Sequence, residues 1–109
     1  MGITKTEHFT PAQNSMALLA KALGHPARIA ILQQLMKANS CICGDLVLEI
    51  GLAQPTISQH LKALKEAGLI KGNISGTSVC YCIDGAAWEA TRLVFSQLFA
   101  QGSAPGNCC

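Results

Sequence analysis

The sequence predicts a mainly α, α+β fold built from five helices and one β-hairpin. Three observations carry this. Apolar residues recur at helical spacing in Met16, Leu19, Ala20 and Leu23, in Ile29, Leu32, Leu35 and Met36, and again in Ile57, Leu61 and Leu64. Two short helical segments meet about Gly51-Leu52-Ala53, the arrangement of a helix-turn-helix. Residues 69–71 and 77–83 flank a Gly-Asn-Ile-Ser-Gly turn at 72–76, which reads as a β-hairpin with a polar tip.

Each element has its own signals. Residues 1–14 are expected to be an N-terminal arm, polar as far as Pro11, and the first helix is expected over 15–23. Gly24-His25-Pro26 ends that helix, and Pro26 suits the first turn of a second helix running to about Lys37. Cys41-Ile42-Cys43 alternates in period 2, as a short strand does. Asp45 after Gly44 is an acidic start for a third helix carrying Leu46, Val47, Leu48 and Ile50, which Gly51 ends. Pro55 sits where a first helical turn tolerates proline, so a fourth helix is expected from Gln54 to about Ala67-Gly68. The hairpin then forms a wing beside the helix-turn-helix. After Asp84-Gly85, the residues Ala87, Trp88, Thr91, Val94, Phe95, Leu98 and Phe99 give a fifth helix with a broad apolar face. Residues 15–100 thus make one winged helix-turn-helix domain, and residues 101–109 a flexible tail ending in Cys108 and Cys109.

Composition narrows the classes. At 109 residues with 50% apolar and 13% charged residues, the chain is too apolar for disorder and greasy for a lone monomer. A homodimer through the first and last helices is the expectation, because the last helix has more apolar face than a small domain covers. No apolar run of membrane-spanning length and no signal-peptide pattern is present, so a cytoplasmic protein without a membrane partner is expected. In that compartment six cysteines read as ligands or redox thiols in the reduced state, not as a disulfide framework. The net charge of +2 does not by itself announce a nucleic-acid binder, although Lys62, Lys65 and Lys71 make the middle of the chain locally basic.

Three strings carry a family resemblance over residues 19–84: Leu23-Gly24-His25-Pro26-Ala27-Arg28, then Gly51-Leu52-Ala53-Gln54-Pro55-Thr56-Ile57-Ser58-Gln59-His60-Leu61, then Leu64-Lys65-Glu66-Ala67-Gly68-Leu69-Ile70. With this order of elements, the chain resembles the ArsR/SmtB family of metal-sensing winged-helix repressors. The resemblance implies a homodimer that binds double-stranded operator DNA and releases it when a metal, metalloid or oxidant reaches its thiols.

On the fourth helix, Ile57, Leu61 and Leu64 are expected to point inward and Thr56, Ser58, Gln59, His60, Lys62 and Lys65 outward. Side chains near the N-terminus of such a helix reach base edges in the major groove, where Gln and Ser pair with bases and Lys neutralises phosphate. Gln54, Ser58, Gln59 and His60 are therefore assigned to bases. Thr56, Lys62 and Lys65 are assigned to the backbone, with Lys71 and Asn73 of the wing near the adjacent groove. The competing reading is an ordinary solvated helix face. His25, between a helix end and Pro26, reads as a cap or packing residue, and His8 supports no assignment.

The cysteines form two Cys-x-Cys pairs, Cys41-Ile42-Cys43 and Cys80-Tyr81-Cys82. As the family resemblance implies, the strand before the helix-turn-helix pairs with the far strand of the wing. Alternation then puts Ile42, Val79, Tyr81 and Ile83 toward the core and all four thiols on the outer face. Opposed residues on antiparallel strands have Cβ atoms roughly 4.5 to 5.5 Å apart, so four sulfurs could converge on one soft ion. Zinc or cadmium would take a tetrahedral set, with Zn–S near ~2.3 Å, while As(III) or Sb(III) needs three thiolates, with Cys108 or Cys109 as further donors. The family pattern for arsenic sensing is Cys-x-Cys-Asp-Leu at a helix start. Here Gly44 intervenes before Asp45-Leu46, which shifts the cysteines one residue out of register and moves the expected site from the helix to the strands. Family members that sense zinc do so through Asp, His and Glu of the last helix; residues 86–100 contain no His and Glu89 alone as carboxylate, so that site is expected to be absent.

Metalloid or soft-metal sensing with As(III)/Sb(III) as inducer, a thiol redox switch, and structural zinc or inert thiols all remain open for the four paired cysteines. A different class, a zinc or soft-metal binding protein without DNA regulation, would not need a DNA-compatible face from Gln54 to Lys65. An enzyme is not expected: there is no Cys-x-x-Cys motif and no assembled nucleophile, base and orienting group.

Overall fold

The computed structural model describes residues 8–38, 41–43, 51–73 and 79–102. Along them run α1 (Pro11–Leu23), α2 (Pro26–Ala38), β1 (Ile42–Cys43), α3 (Gln54–Glu66), β2 (Ile70–Asn73), β3 (Cys80–Ile83) and α4 (Gly85–Gln101). The expectation of five helices with a two-stranded hairpin is thereby corrected: the described residues form four helices and one three-stranded antiparallel sheet of order β1-β3-β2. The helix expected over 45–50 and the tail cysteines Cys108 and Cys109 lie outside the described residues.

Helix α1 begins four residues before the expected start, for a local reason. The Thr10 hydroxyl accepts from the Gln13 amide at 3.0 Å, the Gln13 side chain accepts from the Thr10 amide at 3.0 Å, and Pro11 occupies the first turn. This is a capping box with the proline where its missing N–H costs nothing. At α2 the His25 Nδ1 accepts from the Ala27 amide at 3.0 Å, so His25 is the cap that its position implied. Helix α3 has no side-chain cap at Ala53 and closes at Gly68, whose φ of 83° lets the Leu69 amide reach back to the Leu64 carbonyl at 3.1 Å. Asp84 caps α4 by accepting from the Ala87 amide at 3.1 Å.

The core joins Ala22 of α1, Ile31, Leu32 and Leu35 of α2, Ile57, Leu61 and Leu64 of α3, then Leu69, Ile70 and Tyr81. Ile42, Val79 and Ile83 pack against it, so the inward face of the sheet is the one that alternation assigns. Helix α4 differs. Only Thr91 of α4 is buried, its hydroxyl donating to the Ala87 carbonyl at 2.9 Å, while Leu93, Leu98 and Phe99 are exposed, Phe99 at 70%. Leu18 of α1 is exposed as well.

Candidate nucleic-acid interface and its thiol face

Helix α3, the one expected to read DNA, is fixed by the burial of Ile57, Leu61 and Leu64 at i, i+4 and i+7. On its remaining surface Gln59, Lys62 and Lys65 are exposed, Thr56 and Ser58 are half-buried, and Gln54 is the first residue of the helix. His60 departs from the outward-facing expectation. It is 9% exposed, because position 60 lies three residues after Ile57 and four before Leu64, on the core side of the helix.

His60 belongs to a polar cluster beneath the reading helix. Arg28 Nε donates to His60 Nδ1 at 3.2 Å, and the same guanidinium donates to the Ala22 carbonyl at 3.2 Å and the Lys21 carbonyl at 3.4 Å. Arg28 thus joins the C-terminal end of α1, where a cation is favoured, to the middle of α3. The His25 and His60 rings lie 4.4 Å apart between centroids. Because Nδ1 of His60 is an acceptor, the neutral ring carries its proton on Nε2. Burial first, then the His25 ring, then the Arg28 charge hold His60 below its ordinary value of 6.5. Sequence reasoning missed Arg28 altogether, although a basic residue one turn after a helix end is a recognisable signal for capping that end. It also missed the placement of His60, which the spacing from Ile57 and Leu64 encodes.

The wing is tied to α3 directly. Lys65 Nζ donates to the Gly72 carbonyl at 2.6 Å, so this lysine positions the sheet as well as adding charge to the face. Gly72 is required where it stands. Its φ is 122°, and a Cβ would lie 2.2 Å from the Cys80 carbonyl oxygen and 2.8 Å from the Tyr81 Cα. The register pairs Lys71 with Cys82, Gly72 with Tyr81 and Asn73 with Cys80 across β2–β3, and Ile42 with Tyr81 and Cys43 with Cys80 across β1–β3. Lys71 and Asn73, both exposed, therefore share the outer face of the sheet with Cys43, Cys80 and Cys82.

The expectation of reduced thiols is corrected on this face: Cys43 and Cys80 are joined by a disulfide, their Cα atoms 4.0 Å apart. A reducing compartment favours free thiols, whereas the register of β1–β3 sets these two sulfurs directly against each other. Cys41 and Cys82 are free thiols, the first exposed and the second half-buried. The neighbouring Cys41 thiol first, and burial second, raise the Cys82 thiol above its ordinary range, against an opposing effect of the Lys71 ammonium. The two free thiols open onto a cleft of about 420 Å³ walled by Leu35, Met36, Lys71 and Ile83. With Cys43 and Cys80 joined, no group of three or more candidate metal ligands is found among the described residues. No helix among the described residues is long and apolar enough to cross a membrane.

A family model described as bacterial regulatory protein, arsR family, matches residues 25–71, from the His25 cap to Lys71 of the wing. The chain is 46% identical over 63 residues to the HTH-type transcriptional repressor SmtB of Mycobacterium tuberculosis, covering 58% of this chain and 46% of that protein, so it spans less than half the length of that relative. To the biofilm growth-associated repressor of Xylella fastidiosa it is 38% identical over 81 residues, covering 74% of this chain and 68% of that protein. The crystal structure of the transcriptional repressor BigR from Xylella fastidiosa matches with a TM-score of 0.58 at 26% identity, covering 94% of this chain and 100% of that one. A likeness that runs through the reading helix and the wing alike, in sequence and in fold, makes the chain a member of the ArsR/SmtB family of winged helix-turn-helix transcriptional regulators, which are DNA-binding proteins and not enzymes.

Proposed function

We propose that this protein is a homodimeric transcriptional repressor whose grip on operator DNA is set by the chemical state of the four paired cysteines, the reduced form being the one that binds. One observation carries this reading. Cys43 and Cys80 oppose each other across β1–β3, on the sheet face that also presents Lys71 and Asn73. Bridging or releasing these sulfurs changes how firmly the wing is held to the strand that precedes the helix-turn-helix. An effector of this kind lowers operator affinity only to the extent that it favours one arrangement over the other, and a covalent cross-strand bond is a direct way to do so.

In the bound state Gln54, Ser58 and Gln59 face bases, Thr56, Lys62 and Lys65 lie along the backbone, and Lys71 and Asn73 reach the adjacent groove. His60 supports the helix from beneath. The homodimer covers the exposed Leu18, Leu93, Leu98 and Phe99 of α1 and α4, which a single chain leaves in water.

A second reading, ligation of As(III) or Sb(III), is favoured by the same opposition of cysteines. It belongs to the reduced protein, because the disulfide leaves only Cys41 and Cys82 as thiols in the sheet and these ions take three. Reduction frees Cys43 and Cys80 for such a set, and zinc or cadmium would use all four.

Operator titrations separate these readings. The reduced protein is expected to bind roughly tenfold or more tightly than the disulfide form, a coupling of about 1.4 kcal/mol or more. Cys43→Ser should bind equally well with and without oxidant. Equal affinity of the two wild-type forms would sink the redox reading, and arsenite release that persists in both Cys41→Ser and Cys80→Ser would sink the ligand set.

A further inference from the structure

The disulfide has a neighbour of a different kind. Cys43 pairs with Cys80 and Ile42 with Tyr81, so one further step of the same antiparallel register sets Cys41 against Cys82. These two sulfurs are not joined. They are unequal, Cys41 being exposed and Cys82 half-buried. Both line the 420 Å³ cleft, whose walls are the apolar side chains of Leu35, Met36 and Ile83 with the Lys71 ammonium as the cation.

We infer that Cys41 and Cys82 form a second, exchangeable dithiol in which Cys41 is the entry thiol for a low-molecular-weight disulfide and Cys82 is the resolving thiol. The inference rests on the reading that thiol chemistry on this face regulates the protein. It adds which sulfur reacts first and with what.

The step is thiol–disulfide exchange. The Cys41 thiolate attacks one sulfur of a small disulfide R–S–S–R, forming Cys41–S–S–R and expelling one R–S⁻. The Cys82 sulfur then attacks the Cys41 sulfur of that mixed disulfide and expels the second R–S⁻, which takes up the proton Cys82 gives. The two cysteines lose two electrons together, and the small disulfide gains them as two thiols, the first R–S⁻ taking from solvent the proton that Cys41 released there on ionising. Order follows from access, since the exposed sulfur meets the reagent and the half-buried one does not. Closure follows from the register, because opposed Cβ atoms lie roughly 4.5 to 5.5 Å apart and need little backbone movement to bridge.

The cleft argues for this class of reagent over a hydroperoxide. A peroxide makes no use of a cavity of this size, whereas one half of a small disulfide would lie along Leu35, Met36 and Ile83. A carboxylate on its carrier would meet Lys71.

The test uses the full chain with Cys108→Ser and Cys109→Ser, so that the tail thiols do not report, and oxidised glutathione as the probe, followed by intact-mass spectrometry. The Cys41–Cys82 pair should close without retaining an adduct. Adding Cys82→Ser should trap one glutathione on Cys41. Adding Cys41→Ser should slow modification by about tenfold or more, because only the shielded thiol remains. Equal rates with and without Cys41 would overturn the order of attack. Closure of the pair about tenfold faster by hydrogen peroxide than by oxidised glutathione at equal concentration would overturn the reagent class. Operator binding is not read in this experiment, so the chemistry at Cys41 and the proposed repressor function stand or fall separately.

Discussion

The reading helix and the wing sheet are neighbours with opposite kinds of support. Helix α3 is held from beneath by Ile57, Leu61 and Leu64, all essentially buried, and by the hydrogen bond from Arg28 to His60. The sheet buries one face only, through Ile70 and Tyr81, and owes the rest of its placement to Gly72, the Lys65 hydrogen bond and the Cys43–Cys80 bridge. Shifting α3 would open the core. Shifting the sheet requires a change at a few named atoms, two of them the sulfurs of Cys43 and Cys80 on its outer face. The proposed division of labour follows that difference: a sheet held by few contacts can respond to chemistry at its sulfurs without unfolding the helix packed on the core.

The sharpest way to break this contrast is to strike each region once. Leu64→Ala removes a fully buried side chain from the core side of α3 and is expected to cost about 2 to 5 kcal/mol, seen as a large drop in the urea midpoint with loss of both helix signal and operator binding. Gly72→Ala puts a Cβ 2.2 Å from the Cys80 carbonyl oxygen at a backbone conformation that disfavours side chains. It should cost less, about 1 to 3 kcal/mol, and act locally: the helical signal stays while Cys43 and Cys80 become harder to bridge. If Gly72→Ala proves as damaging to the helices as Leu64→Ala, sheet and reading helix are one cooperative unit and the contrast fails.

How much of this was legible beforehand follows the same division. Periodicity alone locates α1, α2 and α3, although on α2 it gives the buried face only in part: Leu32 and Leu35 are buried as expected, whereas Ile29 and Met36 are exposed and Ile31 is the residue that fills the core beside them. Alternation in Cys80-Tyr81-Cys82-Ile83 gives the inward face of β3. The partner of β1 is a long-range fact, which the family resemblance implies and local spacing does not. The state of the sulfurs was not legible, since sequence gives the residue type and the register decides which two meet. The early start of α1 is hidden because Pro11 alone reads as a breaker, and only Thr10 and Gln13 taken together form the capping box. The burial of His60 is hidden for a different reason. A histidine on a DNA-reading helix invites an outward assignment, whereas the hydrophobic stripe on either side of it puts it inside, where Arg28 satisfies its Nδ1.

That polar support gives the smallest of the three effects and the one that tells α3 from the sheet by pH. His60 is held below 6.5 by burial and by the facing His25 and Arg28, so the native protein binds its proton less readily than the unfolded chain does. Above pH 6.5 both states are neutral at this ring and its contribution to stability is intact. As pH falls through 6.5 the unfolded state takes up the proton first, and stability drops until the native ring protonates as well. Protonation at Nδ1 would also remove the acceptor that Arg28 uses. Thermal melts between pH 7.5 and pH 5.5 should therefore show a falling Tm for the wild type and a flatter profile for His60→Gln, whose amide oxygen can accept from Arg28 without titrating. Cys43→Ser, which alters only the sheet, should keep the wild-type slope; a slope that flattens in Cys43→Ser and survives in His60→Gln would assign the pH response to the wing and remove the buried cluster as the proton-sensitive support of the reading helix.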